Sequence, residues 1–545
     1  MSPEPTPGSR RAPTPPTAGT RAGASPSRWP GWVRALVAVL AGVGAGLGQA
    51  PTSWWWLALP AVAVLTVLAR SVGPRAAAGL GFLFGLGMFG VAIGWVHVVA
   101  WPLPLVLTPV MAGWSALTGW GLRLVRDLPG ASLWGACVWT AAELVAARWP
   151  LGGFGWVRLA WAAVDSPFAG LLRWIGAVGV SLVLAWVAQL LADLVTSTRR
   201  LRTAVVLTAA VALAAGVGLA TTHRGNPRPG PGHPGVHVMI VQGGVDGTAG
   251  PHAMGYARSV TENHLSETIL ALADQRAHGQ PAPDMVLWPE NSSDVDPTLD
   301  AQTHDLITAA LRLADRPVLV GAVTDGPGPD ERQTTAQWWP ADADGPTATY
   351  QKRNLVPFGE WIPWRRQLLP LIPMLSQVGR QSVPGTGPGV LDVEVAGRRT
   401  VIGDVICFEL AWDSTVHETV TSGAQLLVVQ SNNATYTHTG QPLQQWQITR
   451  ARAIETGRPV VVATTSSFSG LVEPSGRVTT RTEEATHAHR LVEVPLTRGV
   501  SAGVALTPAL TAGVLIAAGV ALAWSVVLRW RDRRAPRPVG RVSTR

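Results

Sequence analysis

Seven apolar runs crowd the first 221 residues, at 33–50, 53–70, 76–99, 103–122, 131–148, 168–195 and 203–221, and an eighth follows only at 505–528. Most approach the roughly 20 residues that an α-helix needs to cross the hydrocarbon core of a bilayer. The first two are short and closely spaced, which suits a tight hairpin. Lipid leaves no partner for a free backbone polar group, so such runs can cross it only as helices. Between the seventh and eighth runs the composition is that of an ordinary soluble domain. The 14% of charged residues in the chain, against roughly a quarter in soluble domains, therefore averages two unlike parts.

The arginines orient these spans. Residues 1–32, rich in Pro and Arg and without apolar periodicity, read as a disordered cytoplasmic tail. No small-residue cleavage site follows the first apolar run, so the tail is not a signal peptide. With the N-terminus inside, the inner segments hold Arg70 and Arg75, Arg123 and Arg126, the Arg199, Arg200 and Arg202 cluster, and the basic tail 529–545. The outer loops near 51 and 101 hold no Arg or Lys; Arg148 and Arg158 are a mild exception in the third. The positive-inside rule then gives about eight spans with both termini cytoplasmic. The seven-span membrane domain is 33–222, the last helix is 505–528, and the 235–498 insert lies outside the cytoplasm. Membrane topology also accounts for the net charge of +9, so nucleic acid is not an expected partner.

Within the insert, 237–242, 285–290, 317–323, 401–409, 424–432 and 459–466 read as strands. The stretches 256–275, 298–314, 413–421 and 441–457 read as helices. Continuous apolar strands separated by helices predict an α/β domain whose sheet is covered on at least one face.

Lys352 is the only lysine among 43 Lys and Arg residues. A compact ammonium directed at a small developing charge cannot be exchanged for a planar guanidinium without rebuilding the site. Of the two cysteines, Cys137 lies in an apolar run and reads as an inert buried residue. Cys407 closes an apolar strand in the insert, where a turn can expose its sulfur to backbone N–H groups. With two cysteines so placed there is no disulfide framework, and Cys407 is a candidate reactive thiol. Glu290 closes another apolar strand, where partial desolvation raises a carboxyl pKa and suits a general base. The 12 His residues show no metal-ligand spacing and no Gly-rich phosphate loop is present, so neither a metal nor another cofactor is expected.

Taken in order, the strand ending Trp-Pro-Glu290, then YQKRNLVPFGE (350–360), then the strand ending Ile-Cys407-Phe408-Glu409 resemble the nitrilase superfamily. That superfamily's αββα sandwich uses a Glu-Lys-Cys triad. Within it the chain is most similar to the apolipoprotein N-acyltransferases, in which a Tyr-x-Lys step precedes Pro-Phe-Gly-Glu as Tyr350, Lys352 and 357–360 do here. SNNATY (431–436), 445–470 and the membrane connection 152–183 extend the resemblance over most of the chain. Three features depart from it. Phe408 stands where Tyr is common, 243–255 holds no Trp, and Gly155 replaces a usual Pro.

The resemblance implies a polytopic α-helical membrane protein with an inserted nitrilase-like domain, resident in the bacterial cell membrane. It implies Cys407 as nucleophile, Glu290 as general base and acid, and Lys352 as oxyanion stabiliser. Glu360, Phe408 and Glu409 would support them. An acyl chain would pass from a phospholipid through a Cys407 thioester to the α-amino group of diacylglyceryl-modified apolipoproteins. The stretch 361–379, with Trp361 and Trp364, reads as an arm dipping into the membrane interface, where Trp is favoured. Alternatives are a membrane-tethered amidase passing the acyl group to water, or an anchor for a separate polyprenol-phosphate mannosyltransferase.

Overall fold

The structure, a computed structural model, describes residues 29–222, 235–246 and 257–534. The N-terminal tail to residue 28, the basic tail from 535 and most of the Trp-free 243–255 segment lie outside the described residues.

The apolar runs fold as α1 (Gly31–Leu47), α2 (Trp55–Ser71), α3 (Pro74–Ala92), α4 (Leu103–Val125) and α5 (Ala131–Ala146). The short α6 (Leu159–Ala162), then α7 (Leu172–Thr196) and α8 (Arg200–Thr222), complete this region. Five helical stretches are long and apolar enough to cross a membrane: α3, α4, Ala169–Thr196, α8 and the C-terminal Ala502–Arg531. The apolar α1, α2 and α5 are shorter, at 17, 17 and 16 residues. Small residues let the helices meet backbone to backbone. A Cβ on Gly81 would lie 2.2 Å from the Ser115 carbonyl oxygen, and one on Gly119 would lie 2.4 Å from that of Ala77. Two runs are not single helices. The 76–99 run leaves α3 at Ala92 for a 3₁₀ turn, Gly94–Val98. The 168–195 run starts as a 3₁₀ turn, and α7 breaks at Gly176, whose φ of 62° suits glycine.

The insert is a two-sheet sandwich. Its strands are β1 (Gly235–Gln242), β2 (Met285–Leu287), β3 (Val318–Asp325), β4 (Glu331–Trp339), β5 (Ala348–Gln351), β6 (Gln381–Ser382) and β7 (Val390–Val395). They continue with β8 (Arg398–Asp404), β9 (Leu426–Ser431), β10 (Val460–Thr464), β11 (Gly470–Val472), β12 (Val478–Arg481) and β13 (Ala488–Pro495). The first sheet runs β13–β1–β2–β3–β4–β5, with β6 beside β4; the second runs β12–β11–β10–β9–β8–β7. The central strands β1–β2–β3 and β8–β9–β10 are parallel and buried, and they are the Val/Ile/Leu-rich segments that apolar continuity detects. The inner faces meet through Ile240, Leu287 and Leu319 against Ile402, Val428 and Val461. Outside the first sheet lie α9 (Ser259–Ala277) and α10 (Ala301–Ala314), over Met239, Val286, Trp288 and Val320. After the short α11 (Arg365–Leu368), α12 (Asp413–Thr421) and α13 (Gly440–Thr456) cover the second sheet, and α14 (Ala502–Arg534) ends the described chain.

One core spans both regions: Leu427, Val429, Val460 and Ile454 belong to the same cluster as Trp161, Leu172 and Ala177. Helix α13 lies at this junction. Its Gln444 uses its whole amide, donating to the Ala50 and Ala92 carbonyls (2.9 and 2.6 Å) and accepting from the indoles of Trp95 and Trp156 (2.9 and 2.8 Å). Beside it, Asp413 accepts from Arg158 Nη1 at 2.9 and 3.0 Å and from Arg452 Nη2 at 2.8 Å. Both guanidinium groups stack on the buried Trp161 ring, 4.9 and 4.8 Å from its centroid. Arg452 also pairs with Glu455, whose other oxygen accepts from the Ala177 amide (2.8 Å) at the break in α7.

Candidate active site

Strand β5 stops at Gln351, but the Lys352 amide still donates to the Thr334 carbonyl (2.9 Å), so the ladder holds the next side chain inward. Lys352 is 1% exposed, and its Nζ donates to Glu290 Oε1 at 2.9 Å and to Glu360 Oε1 at 2.5 Å. Strand β2 ends at Leu287, so Glu290 lies in the following turn rather than in the strand. There its second oxygen accepts from the Asn432 amide (2.7 Å). The second oxygen of Glu360 accepts from the Val356 amide (2.8 Å).

Cys407 is likewise beyond its strand. β8 ends at Asp404, and Cys407 opens a 3₁₀ turn, Cys407–Ala411, with φ at 53°. A non-glycine residue there is strained and persists only where its surroundings hold it. Glu409 supplies the hold. Its carboxylate accepts from the amides of Ile406 (2.9 Å), Arg353 (2.7 Å) and Asn354 (3.1 Å), and the Tyr350 hydroxyl lies 2.9 Å from both oxygens. The cysteine turn is thereby tied to the segment carrying Lys352. Arg452 steadies the turn's far end, donating from Nε to the Leu410 carbonyl (2.8 Å).

Burial dominates the electrostatics. It pushes the Cys407 thiol up to about 12, aided by the negative charge of Glu290 and opposed by Lys352 and the Ser431 hydroxyl. It also raises Glu290, with Lys352 pulling the other way and Glu360 adding to the rise. For Lys352 burial disfavours the charge, but Glu290, Glu360 and Cys407 outweigh it and hold the ammonium well above its ordinary value. The resting site is thus a thiol beside a buried carboxylate–ammonium–carboxylate chain. Asp404 is fully buried with no hydrogen-bond partner for either oxygen among the described residues. Burial, with the negative charges of Glu409 and Glu290, drives its pKa well above the ordinary carboxylate value.

Phe408 turns away from the carboxylates and stacks on Phe154 and Trp156 of the membrane region, at 5.9 and 5.7 Å between centroids. Along 361–379, Trp361 is half-buried while Trp364 is 65% exposed, and Leu371, Ile372 and Met374 are also exposed. Three neighbours were not singled out as site residues from the sequence: Ser431 beside the thiol, Asn432 on Glu290, and Tyr436, whose pKa the Cys407 charge helps to raise after burial. All three lie in SNNATY. The available signal was a polar segment directly after the apolar strand β9.

Two antiparallel-flanked sheets facing each other, with Glu, Lys and Cys converging from three loops, define a carbon-nitrogen hydrolase domain. Residues 328–501 match the carbon-nitrogen hydrolase family, and 41–190 match the apolipoprotein N-acyltransferase N-terminal domain. Among curated relatives, apolipoprotein N-acyltransferase from Mycolicibacterium smegmatis is 34% identical across 93% of this chain and 87% of its own. The Azotobacter vinelandii enzyme is 30% identical across 94% and 99%. An amidase of the nitrilase superfamily from Nesterenkonia superposes on 50% of this chain and 93% of its own, at 16% identity and a TM-score of 0.36. The chain belongs to the apolipoprotein N-acyltransferase family: it is a multi-pass membrane enzyme and an N-acyltransferase.

Proposed function

We propose that the enzyme moves a fatty acyl chain from a phospholipid, through a thioester on Cys407, to the α-amino group of a diacylglyceryl-modified lipoprotein. The observation that carries this reading is the Lys352 ammonium held between Glu290 and Glu360 beside a strained, buried cysteine. In the first half-reaction Glu290 takes the Cys407 proton as the thiolate attacks the ester carbonyl. Lys352 stabilises the tetrahedral oxyanion. Glu290 returns the proton to the departing lysophospholipid. In the second half-reaction the neutral amine attacks the thioester, and its proton passes by way of Glu290 to the leaving Cys407 thiolate. Glu360 keeps Lys352 in place, and Glu409 keeps the cysteine turn in place.

In this reading all eight apolar helices cross the bacterial cell membrane, both termini are cytoplasmic, and the sandwich lies outside. The exposed Trp54, Trp101 and Trp149 in the connections facing the sandwich suit the interface on that side. Intact mass of full-length enzyme incubated with phospholipid tests the chemistry. Wild type gains one acyl chain that neutral hydroxylamine removes, and Cys407→Ala gains none. Lipoprotein acylation at wild-type level by the Ala variant would refute it.

The exposed apolar side chains of 361–379 act in this scheme as the arm reaching into the interface. Replacing Trp361 and Trp364 together by Ser is expected to lower kcat/KM on vesicle phospholipid on the order of 10-fold, the loss of about one buried apolar anchor. The melting temperature should stay in place. Unaltered kinetics on vesicles would refute the arm.

A further inference from the structure

Arg332 is a cation beside the reacting groups that the scheme above leaves idle. It lies on β4 in the inward-facing row that continues Trp338, Ala336 and Thr334. Thr335 pairs with Gln351, and the Lys352 amide bonds to the Thr334 carbonyl. Lys352 therefore stands opposite Thr334, and Arg332 is two residues further along the same face, roughly 6.6 Å away along the strand. β6 brings Ser382 opposite Arg332; Arg332 Nε donates to Ser382 Oγ at 3.2 Å, and the Ser382 amide donates to the Glu360 carbonyl at 2.9 Å. One edge of the guanidinium is thus pinned to the Glu360 segment.

Its terminal nitrogens are not engaged. Among the described residues neither donates a hydrogen bond or forms an ion pair, whereas the neighbouring arginines are occupied. Arg380 pairs with Asp325 (2.7 Å), and Arg365 donates to Gln381 Oε1 (3.1 Å) and the Gly379 carbonyl (2.7 Å). Arg332 is half-buried between the catalytic carboxylates and the root of the apolar 361–379 segment. The Lys352 ammonium takes Glu290 and Glu360 at hydrogen-bond distance, and Arg332 feels both charges without forming an ion pair with either. A pinned guanidinium with two free NH2 groups, close in the chain's fold to the apolar 361–379 segment, matches a phosphodiester, which it takes bidentately.

We propose that Arg332 holds the phosphodiester of the glycerophospholipid donor and so sets its ester carbonyl over Cys407. The strand spacing between Lys352 and Arg332 corresponds to the single glycerol that separates ester from phosphate. This assignment rests on the phospholipid-donor reading. The lipoprotein acceptor carries no phosphate at its reacting end, so Arg332 acts in the first half-reaction alone and is a specificity residue for the donor.

The test uses full-length enzyme and two acyl donors, phosphatidylglycerol in mixed micelles and p-nitrophenyl palmitate, which has no phosphate. Thioester formation is followed by intact mass. Arg332→Gln is expected to lower the ratio of kcat/KM on phosphatidylglycerol to kcat/KM on the p-nitrophenyl ester on the order of 30-fold, mainly through KM. Arg332→Lys, which keeps a point charge but loses the fork, should fall between. Once the thioester is formed, transfer to a diacylglyceryl-peptide should be as fast in Arg332→Gln as in wild type. An unchanged ratio, or equal loss on both donors, would overturn the assignment and leave Arg332 a structural cation. Wild-type enzyme that takes acyl groups from the p-nitrophenyl ester but not from phosphatidylglycerol would overturn the donor reading itself.

Discussion

Replacing Lys352 by Arg is expected to slow thioester formation on the order of 100- to 1,000-fold, the range found when one oxyanion donor is removed from an acyl-transfer site. The ammonium is 1% exposed and fits between two carboxylate oxygens at 2.9 and 2.5 Å. A planar guanidinium cannot occupy that gap without pushing Glu290 away from the thiol. Lys352→Met tests the electrostatics separately. Burial raises the Glu290 pKa and Lys352 holds it down, so removing the cation moves the pKa further up. In the proposed reaction Glu290 can take the Cys407 proton only when ionised. The acid limb of kcat/KM should therefore lie above the usual carboxylate range in wild type and shift to still higher pH in Lys352→Met. A pH–rate profile with an activated ester reads both effects. An acid limb that does not move, or an Arg variant within about 10-fold of wild type, would remove Lys352 from the reacting centre.

The second large effect concerns Asp413. Two buried guanidinium groups converge on its carboxylate, Arg158 from the membrane region and Arg452 from α13. Asp413→Ala leaves the buried Arg158 without its ion-pair carboxylate and Arg452 with Glu455 alone, at a cost of about 3–5 kcal/mol. Burial disfavours the Asp413 charge, but Arg158 and Arg452 outweigh it and depress the pKa far below the ordinary value. A depressed carboxyl pKa contributes stability that is fully present above the unfolded-state value and is lost as pH falls towards the folded one. The destabilisation should accordingly be complete at neutral pH and shrink in acid. Arg452 also holds the Leu410 carbonyl in the cysteine turn, so the variant should lose thioester rate as well as thermal stability. Thermal unfolding in detergent gives the first quantity and intact mass the second. A loss of less than about 1 kcal/mol would mean that the cluster is not a structural tie.

The parts of the molecule that were legible in the sequence share a local signal. Lys352 stood out because every other cation is Arg, and Cys407 because a lone thiol followed an apolar strand. The parallel strands β1, β3, β9 and β10 are continuous Val/Leu/Ile runs. The sequence reading passed over β4, β7 and β13, whose ERQTTAQWW, VLDVEV and AHRLVEVP mix polar residues with apolar ones. These strands flank the parallel centres and take their pairing from tertiary register. Glu290 and Cys407 were read as strand ends, yet both sit three residues past the last residue of their strands, because their loops are fixed by remote partners: Asn432 for one, Glu409 with Tyr350 for the other. The Arg158–Asp413 pair joins positions 255 apart. Arg158 was noticed only as an exception to a topology rule, and its partner lies in another region of the chain. Gln444 gave no sign at all, since one glutamine among several on a helix says nothing of which finds four partners.

The break in α7 carries a consequence for biosynthesis. Gly176 packs against Gly503 and Thr507 of α14 and against the Glu455 carboxylate, and the Ser501 hydroxyl donates to the Glu455 carbonyl (2.5 Å). Glu455 in turn pairs with Arg452, which steadies the cysteine turn. Helix α14, the last among the described residues, is thus a keystone for residues made long before it. In the topology proposed above, a nascent chain can translocate the sandwich and pair both sheets while the seat of Arg452 and Glu455 is still open. Only insertion of α14 closes it. Under that reading the hold of Arg452 on the Leu410 carbonyl beside Cys407 is backed on every side only once α14 has docked.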